Sequence, residues 1–154
     1  MEKLIQRQEF MFQALDSLSL AMGAYQKGLD LANDPEWREK AFTSAEETER
    51  TFRDSMIQRF EFSSDLFWKF LKEYLEKIEL VQLESKGPKG IFRDACRIGI
   101  IGEKETETAL KMIDDRNMTS HIYKEEIAQH ISKNIPAYYD LMLSIAQRLD
   151  KKIK

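Results

Sequence analysis

The stretch MIQRFEFSSDLFWKFLKEYLEKIEL, residues 56–80, is the most apolar segment of the chain, and its reading decides the fold. At the helical repeat, Phe60, Phe67, Leu71, Tyr74 and Ile78 form one stripe, Phe62, Leu66 and Phe70 a second, and Trp68 with Leu75 a third. A helix apolar in so many directions must be covered in several, at the centre of a bundle or across a subunit interface. The pattern predicts a bundle built around this segment and a homodimer. Lys69 with Glu73 and Lys72 with Glu76 read as ordinary surface pairs at helical spacing.

Toward the N-terminus, Leu4, Met11, Leu15, Leu18, Met22, Tyr25 and Leu29 recur at helical steps, with Glu2, Lys3, Arg7, Asp16 and Lys27 largely off that stripe. One long amphipathic helix is expected there. Asn33 and Asp34 before Pro35 give a stop and a restart: Asn33 closes the first helix, Asp34 caps the next, and Pro35 suits a first helical position. A single helix from Glu36 to Leu80 would span about 67 Å, too long for a chain of this size, so a break is expected. Thr43 and Glu46 form a capping-box pattern and mark the expected place.

Toward the C-terminus, SKGPKG breaks the pattern and reads as a linker. Beyond it Lys89, Arg93 and Arg97 recur every fourth residue, opposite Ile91, Phe92, Ala95 and Ile98. This basic ridge is a solvated face in the plainer reading; in the sharper one it is a wall of a phosphate-binding cleft shared with Arg116. Gly99 and Gly102 punctuate the next junction. EKETETALKMIDDR follows as a helix with acids in its first turn. The last helix carries Ile127, Ile131, Ile135, Tyr138, Leu141, Met142, Ile145 and Leu149, and Pro136 is expected to kink or split it. His130, mid-helix, is expected to be structural or exposed.

Between these last two helices lies MIDDRNMTSHIY, residues 112–123, which gathers an arginine, an asparagine, one of two histidines and a tyrosine. A fixed cation, an imidazole titrating near neutrality and a phenolic hydroxyl suit work on a phosphate. On an ideal helix Arg116 and His121 sit about 140° apart, so they converge only if the helix ends or distorts. Thr119 and Ser120 favour such an end, because their hydroxyls compete for backbone hydrogen bonds. The motif is therefore placed on a turn between helices. Asp114 and Asp115 read as helix-end acids pairing with nearby bases.

Composition narrows the function classes. Hydrophobic residues make up 42% and charged residues 33%, with only six glycines and three prolines, which argues for an ordered, mainly helical protein. The net charge of -3 counts against a non-specific polyanion binder, so any RNA contact must be local. Cys96 alone cannot form an internal disulfide and reads as packing rather than a nucleophile. With no signal pattern the chain is expected to be cytoplasmic, and no apolar run approaches the ~20 residues of a membrane span. Zinc-ligand spacings, a P-loop and a G-x-G-x-x-G are all missing, so no metal or cofactor is expected. The expected fold is all-α, an antiparallel up-and-down bundle of about five helices forming one domain over residues 1–154.

Three stretches, IQRFEFSSDLFWKFLKEYL, GPKGIFRDACRIGII and DDRNMTSHIY, together give the chain a family likeness. It resembles the HEPN superfamily, specifically the nucleotidyltransferase substrate-binding proteins paired with a minimal nucleotidyltransferase. The last stretch matches that family's signature through Arg116, Asn117, His121 and Tyr123. The resemblance implies a helical homodimer whose two motifs face one cleft, and a cognate nucleotidyltransferase in a toxin and antitoxin pair. It also implies metal-independent RNA cleavage, with His121 moving protons, Arg116 stabilising charge on the scissile phosphate and Asn117 orienting the pair or the substrate. Tyr123 would be the residue adenylylated by the partner.

Two functions therefore compete. One is a ribonuclease toxin silenced by modification of Tyr123. The other is a non-catalytic helical subunit that binds the nucleotidyltransferase or presents its substrate, with Arg116 and His121 serving nucleotide binding; the acidic overall charge favours it slightly.

Overall fold

The computed structural model describes residues 1–40, 44–84 and 87–154. Among them are six α-helices: α1 (Glu2–Ala32), α2 (Pro35–Lys40), α3 (Ala45–Lys77), α4 (Pro88–Arg97), α5 (Glu103–Asn117) and α6 (Glu125–Ile153). A short 3₁₀ turn, Thr119–His121, joins the last two. The fold is all-α, as the periodicity predicts.

The two longest helices form the spine. Leu4, Met11, Leu15, Leu18 and Ala21 bury the stripe of α1 against α3. Cross-links along the seam run in opposite numerical order: Ser63 donates to the Ala14 carbonyl, Arg59 to the Ser17 carbonyl, and Lys3 and Arg7 approach Glu73. The pair is thus antiparallel. The predicted stop and restart is present, with Asn33 as the C-cap of α1, the Asp34 carboxylate accepting the Glu36 amide, and Pro35 opening α2. The expected break before α3 also occurs, since Ser44, immediately ahead of it, is extended at φ −79° and ψ 159°. The Thr43 capping position lies outside the described residues; α3 is capped by Ser44, whose hydroxyl accepts the Glu47 amide at 3.0 Å.

The core follows the α3 stripes in part. Phe60, Phe67, Leu71 and Tyr74 are buried, as are Phe70 and Leu75, while Phe62 is left exposed. Phe60 stacks on Tyr138 of α6 with ring centres 5.5 Å apart, and Phe67 on Phe92 of α4 at 6.1 Å. These ring pairs lock α4 and α6 to the spine.

Glycine and proline act where the linker reading placed them. Pro88 opens α4 after the Gly87 cap. At the other end Gly99 adopts φ 83°, while its amide bonds the Cys96 carbonyl and the Ile100 amide bonds the Ala95 carbonyl. That left-handed closure requires no side chain and turns the chain toward α5. Pro136 differs from expectation, because α6 continues through it unsplit. Ile131 and Ile135 before it and Tyr138, Leu141 and Met142 from just beyond it are all buried, and packing on both sides outweighs a lost helical bond of about 3 kcal/mol. No helix among the described residues is long and apolar enough to cross a membrane.

Candidate functional site

The C-terminal turn of α5 directs four consecutive side chains four ways, because each residue advances the helix by about 100°. Asp114 meets Lys89 of α4 at 2.6 Å. Asp115 is buried and faces α6, accepting the Tyr138 hydroxyl at 2.6 Å, with Asn134 at 3.3 Å and His130 Nε2 at 3.2 Å. Burial and then the Asp115 bond push the Tyr138 hydroxyl up from its ordinary pKa. Both acids therefore pair with neighbours, as read from the sequence.

Arg116 turns toward α3. Its Nε lies 2.7 Å from Asp65 Oδ1 and its Nη2 2.9 Å from Asp65 Oδ2, with Glu61 3.5 Å from Nη2. The hydrogen bonds it donates to Asp65 raise the guanidinium's already high pKa, outweighing partial burial. Thr119, buried under this cluster, places its hydroxyl 2.7 Å from Glu61 Oε2 and 2.8 Å from the Arg116 carbonyl.

Asn117 points elsewhere again, into a cavity of about 540 Å³ between α4 and α5. Pro88, Lys89, Arg93, Asp94 and Ile113 line it with Asn117. Of the basic ridge, then, Lys89 and Arg93 reach the cavity, while Arg97 lies outside its lining and approaches Asp94 Oδ1 at 3.5 Å. Arg116 does not line this cavity, so the cleft expected between it and the ridge is instead shared with Asn117.

The remaining motif residues lie past the end of α5. Met118 caps the helix, the 3₁₀ turn carries His121, and the chain enters α6 after Lys124. The turn expected between the helices is there, but Arg116 and Asn117 belong to the last turn of α5 and only His121 and Tyr123 lie beyond it. His121 and Tyr123 are both exposed, with Nδ1 3.4 Å from the tyrosine hydroxyl and the rings edge to face. Among the described residues no hydrogen bond or ion pair joins Arg116 to His121.

Three residues that matter here escaped the motif reading: Glu61, Asp65 and Asp94. Glu61 and Asp65 stand one turn apart in the most apolar helix, and two acids at that spacing were the available signal. Asp94 sits between the apolar Phe92 and Ala95, which could have marked it as buried. No group of metal-ligating side chains occurs among the described residues.

The fold and site define a helical-bundle protein with a cavity whose lining carries both basic and acidic groups. The chain belongs to the family described as nucleotidyltransferase substrate binding protein like, whose model matches residues 6–151. A solved protein from Thermus thermophilus is 34% identical, with a TM-score of 0.63, covering 86% of this chain and 98% of its own. A Haemophilus influenzae structure, described as revealing the fold of a substrate binding domain of a nucleotidyltransferase, is 26% identical. Its TM-score is 0.62 over 88% of this chain and 98% of that one. No curated protein matches the chain.

Proposed function

We propose that this protein is the helical subunit that holds an acceptor substrate for a nucleotidyltransferase, and that the α4–α5 cavity is where it does so. The observation that carries the reading is the shared lining of Lys89, Arg93 and Asn117, two cations and an amide on one concave surface. Arg93 makes no ion pair among the described residues and is exposed, so its charge is available to a ligand. The family and the Haemophilus influenzae relative support the same role. The subunit works as a homodimer, with exposed Phe62 on α3 as one contact; sedimentation of native chain against Phe62→Ser checks that association.

The test is copurification with a minimal nucleotidyltransferase, followed by assay of nucleotidyl transfer. Arg93→Ala is expected to leave the complex intact and reduce transfer about tenfold. Failure of the native chain to join any such complex overturns the reading, and so does transfer indifferent to Arg93.

A second reading, the HEPN ribonuclease, is favoured by the exposure of His121 beside Tyr123, where RNA or a modifying partner can reach both. In it His121 moves protons and Asn117 and Arg116 position the phosphate, for which Arg116 must first leave Asp65. Cleavage of RNA in EDTA by the native chain, absent in His121→Ala, would establish it. A mass gain on coexpression with the nucleotidyltransferase, lost in Tyr123→Phe, would identify the modified residue.

A further inference from the structure

The sequence pattern pairs Lys69 with Glu73 and Lys72 with Glu76 along α3, yet neither pair forms among the described residues. Glu73 turns instead toward α1, where Lys3 Nζ lies 3.6 Å and Arg7 Nε 3.8 Å from its Oε2. Both distances exceed hydrogen-bond range, and no side chain among the described residues donates a hydrogen bond to Glu73. The residue is nonetheless only 6% exposed. It lines a cavity of about 560 Å³ between α1 and α3, and neither of its carboxylate oxygens is sealed from that space. A buried carboxylate held only by two loose ion pairs keeps part of its desolvation cost, and the cavity gives a donor access to it.

The rim of the cavity has the opposite sign. Lys69, Lys72 and Lys77 of α3 join Lys3 and Arg7 there, against the acids Glu2, Glu73 and Glu76. The three α3 lysines make no ion pair among the described residues, so a chain of net charge -3 carries a local excess of cations at this point. Half-buried Trp68 adds an apolar wall, with Lys69 Nζ 6.0 Å from its ring centre. This cavity shares no lining residue with the one between α4 and α5, and stands apart from the proposed substrate site.

We propose that the α1–α3 cavity binds an α-amino acid with an anionic side chain, either free or as the N-terminal residue of a peptide. The ligand's ammonium group donates to Glu73, and its anionic groups pair with Lys69, Lys72 and their basic neighbours. Charge separates this ligand from the others. A dicarboxylate or an inorganic phosphate answers the rim but leaves Glu73 without a donor. A polyamine answers Glu73 but meets the surplus of basic side chains. The hydroxyl and amino groups of a nucleotide are neutral donors, and a hydrogen bond between ions is roughly twice as strong as one between neutral groups. An acidic amino acid carries a cation and anions a few ångströms apart, and its net negative charge complements the lining. The methylenes of its side chain pack on Trp68.

Calorimetric titration of the full chain with L-glutamate, glutarate and L-alanine tests the assignment. Glutarate keeps both carboxylates without the ammonium, and alanine keeps the zwitterion without the second anion. Glutamate is expected to bind about tenfold more tightly than either. Glu73→Gln, checked for native melting, should bring glutamate within about threefold of glutarate, because the amide takes no full charge from the ammonium. Lys69→Ala combined with Lys72→Ala alters the rim alone and should narrow the lead over alanine to about threefold. Absence of glutamate binding overturns the proposal, and so does glutarate binding as tightly in the native chain. An unchanged preference in either folded variant overturns it too, as does adenosine monophosphate binding in this cavity more tightly than glutamate. A Glu-Ala-Ala peptide amide distinguishes the two sources: binding at least as tight as that of glutamate assigns the cavity to peptide N-termini, and binding of glutamate alone assigns it to the free amino acid.

Discussion

Arg116 is clamped in two-point contact by Asp65, across fifty-one residues of sequence, with Nε and Nη2 each facing one carboxylate oxygen at 2.7 and 2.9 Å. The pairing fastens the end of α5 to the middle of α3. A bidentate guanidinium–carboxylate contact is among the stronger polar interactions, but both partners are partly exposed, so solvent screening reduces its worth. Asp65→Asn and Arg116→Met are each expected to cost about 1 kcal/mol, and the double variant little more than either alone. Urea unfolding of the four proteins measures this coupling. Additive losses would mean that the contact contributes nothing to stability.

The clamp also shows where sequence reasoning stops. Local chemistry announces the helix ends: Asn33-Asp34-Pro35, Gly87-Pro88 and Gly99 act through backbone conformation, which depends on near neighbours. Burial of the α3 stripes was readable in outline, because periodicity gives the faces, yet it does not tell which face goes uncovered, and Phe62 is the one left out. The partner of Arg116 depends on how α5 settles on α3. The spacing of an arginine five positions from a histidine reads as a phosphate site and carries no sign that Asp65 stands beside the arginine. Pro136 shows the same limit, a local breaker overruled by packing on both sides.

Gly28 faces Phe52 where α1 and α3 approach, and a Cβ at this position would overlap the Phe52 ring. Gly28→Ala gains helix propensity of about 1 kcal/mol but meets an overpacking penalty of about 1–3 kcal/mol. Net destabilisation is expected, and Phe52→Leu in the same chain should recover part of it. Thermal melts of the two variants decide the matter, since a stabilised Gly28→Ala would show that the ring moves aside freely.

Two acid pairs set an acid limit on stability. Hydrogen bonds from buried Arg53 hold the Glu125 carboxyl below its ordinary 4.5. For Glu105, burial pushes upward but the Arg148 bonds and the Gly102 amide prevail, so its pKa is also lowered from 4.5. A folded-state pKa below the unfolded one gives stability that is present above the unfolded value and is lost as pH falls through the folded value. The melting temperature should hold steady above about pH 5 and drop as the pH falls below 4.5. Glu125→Gln should melt lower at neutral pH and lose less on acidification; an identical acid limb in that variant would rule Glu125 out as a contributor.

Leu80 is the one non-glycine residue with positive φ, at 54°, among those described. It lies three residues past the end of α3, where the Val81 amide reaches back six residues to the Leu75 carbonyl at 3.0 Å. Glycine is the usual residue at such a φ, because a side chain there costs roughly 1–2 kcal/mol. The leucine gains little in return, being 82% exposed. Leu80→Gly should therefore stabilise the chain, the relief of strain exceeding the backbone entropy of about 0.5–1 kcal/mol that glycine forfeits on folding. Denaturant unfolding gives the sign directly. A destabilised Leu80→Gly would mean that the leucine is covered in solution, and sedimentation of the same variant would tell whether a second copy of the chain covers it.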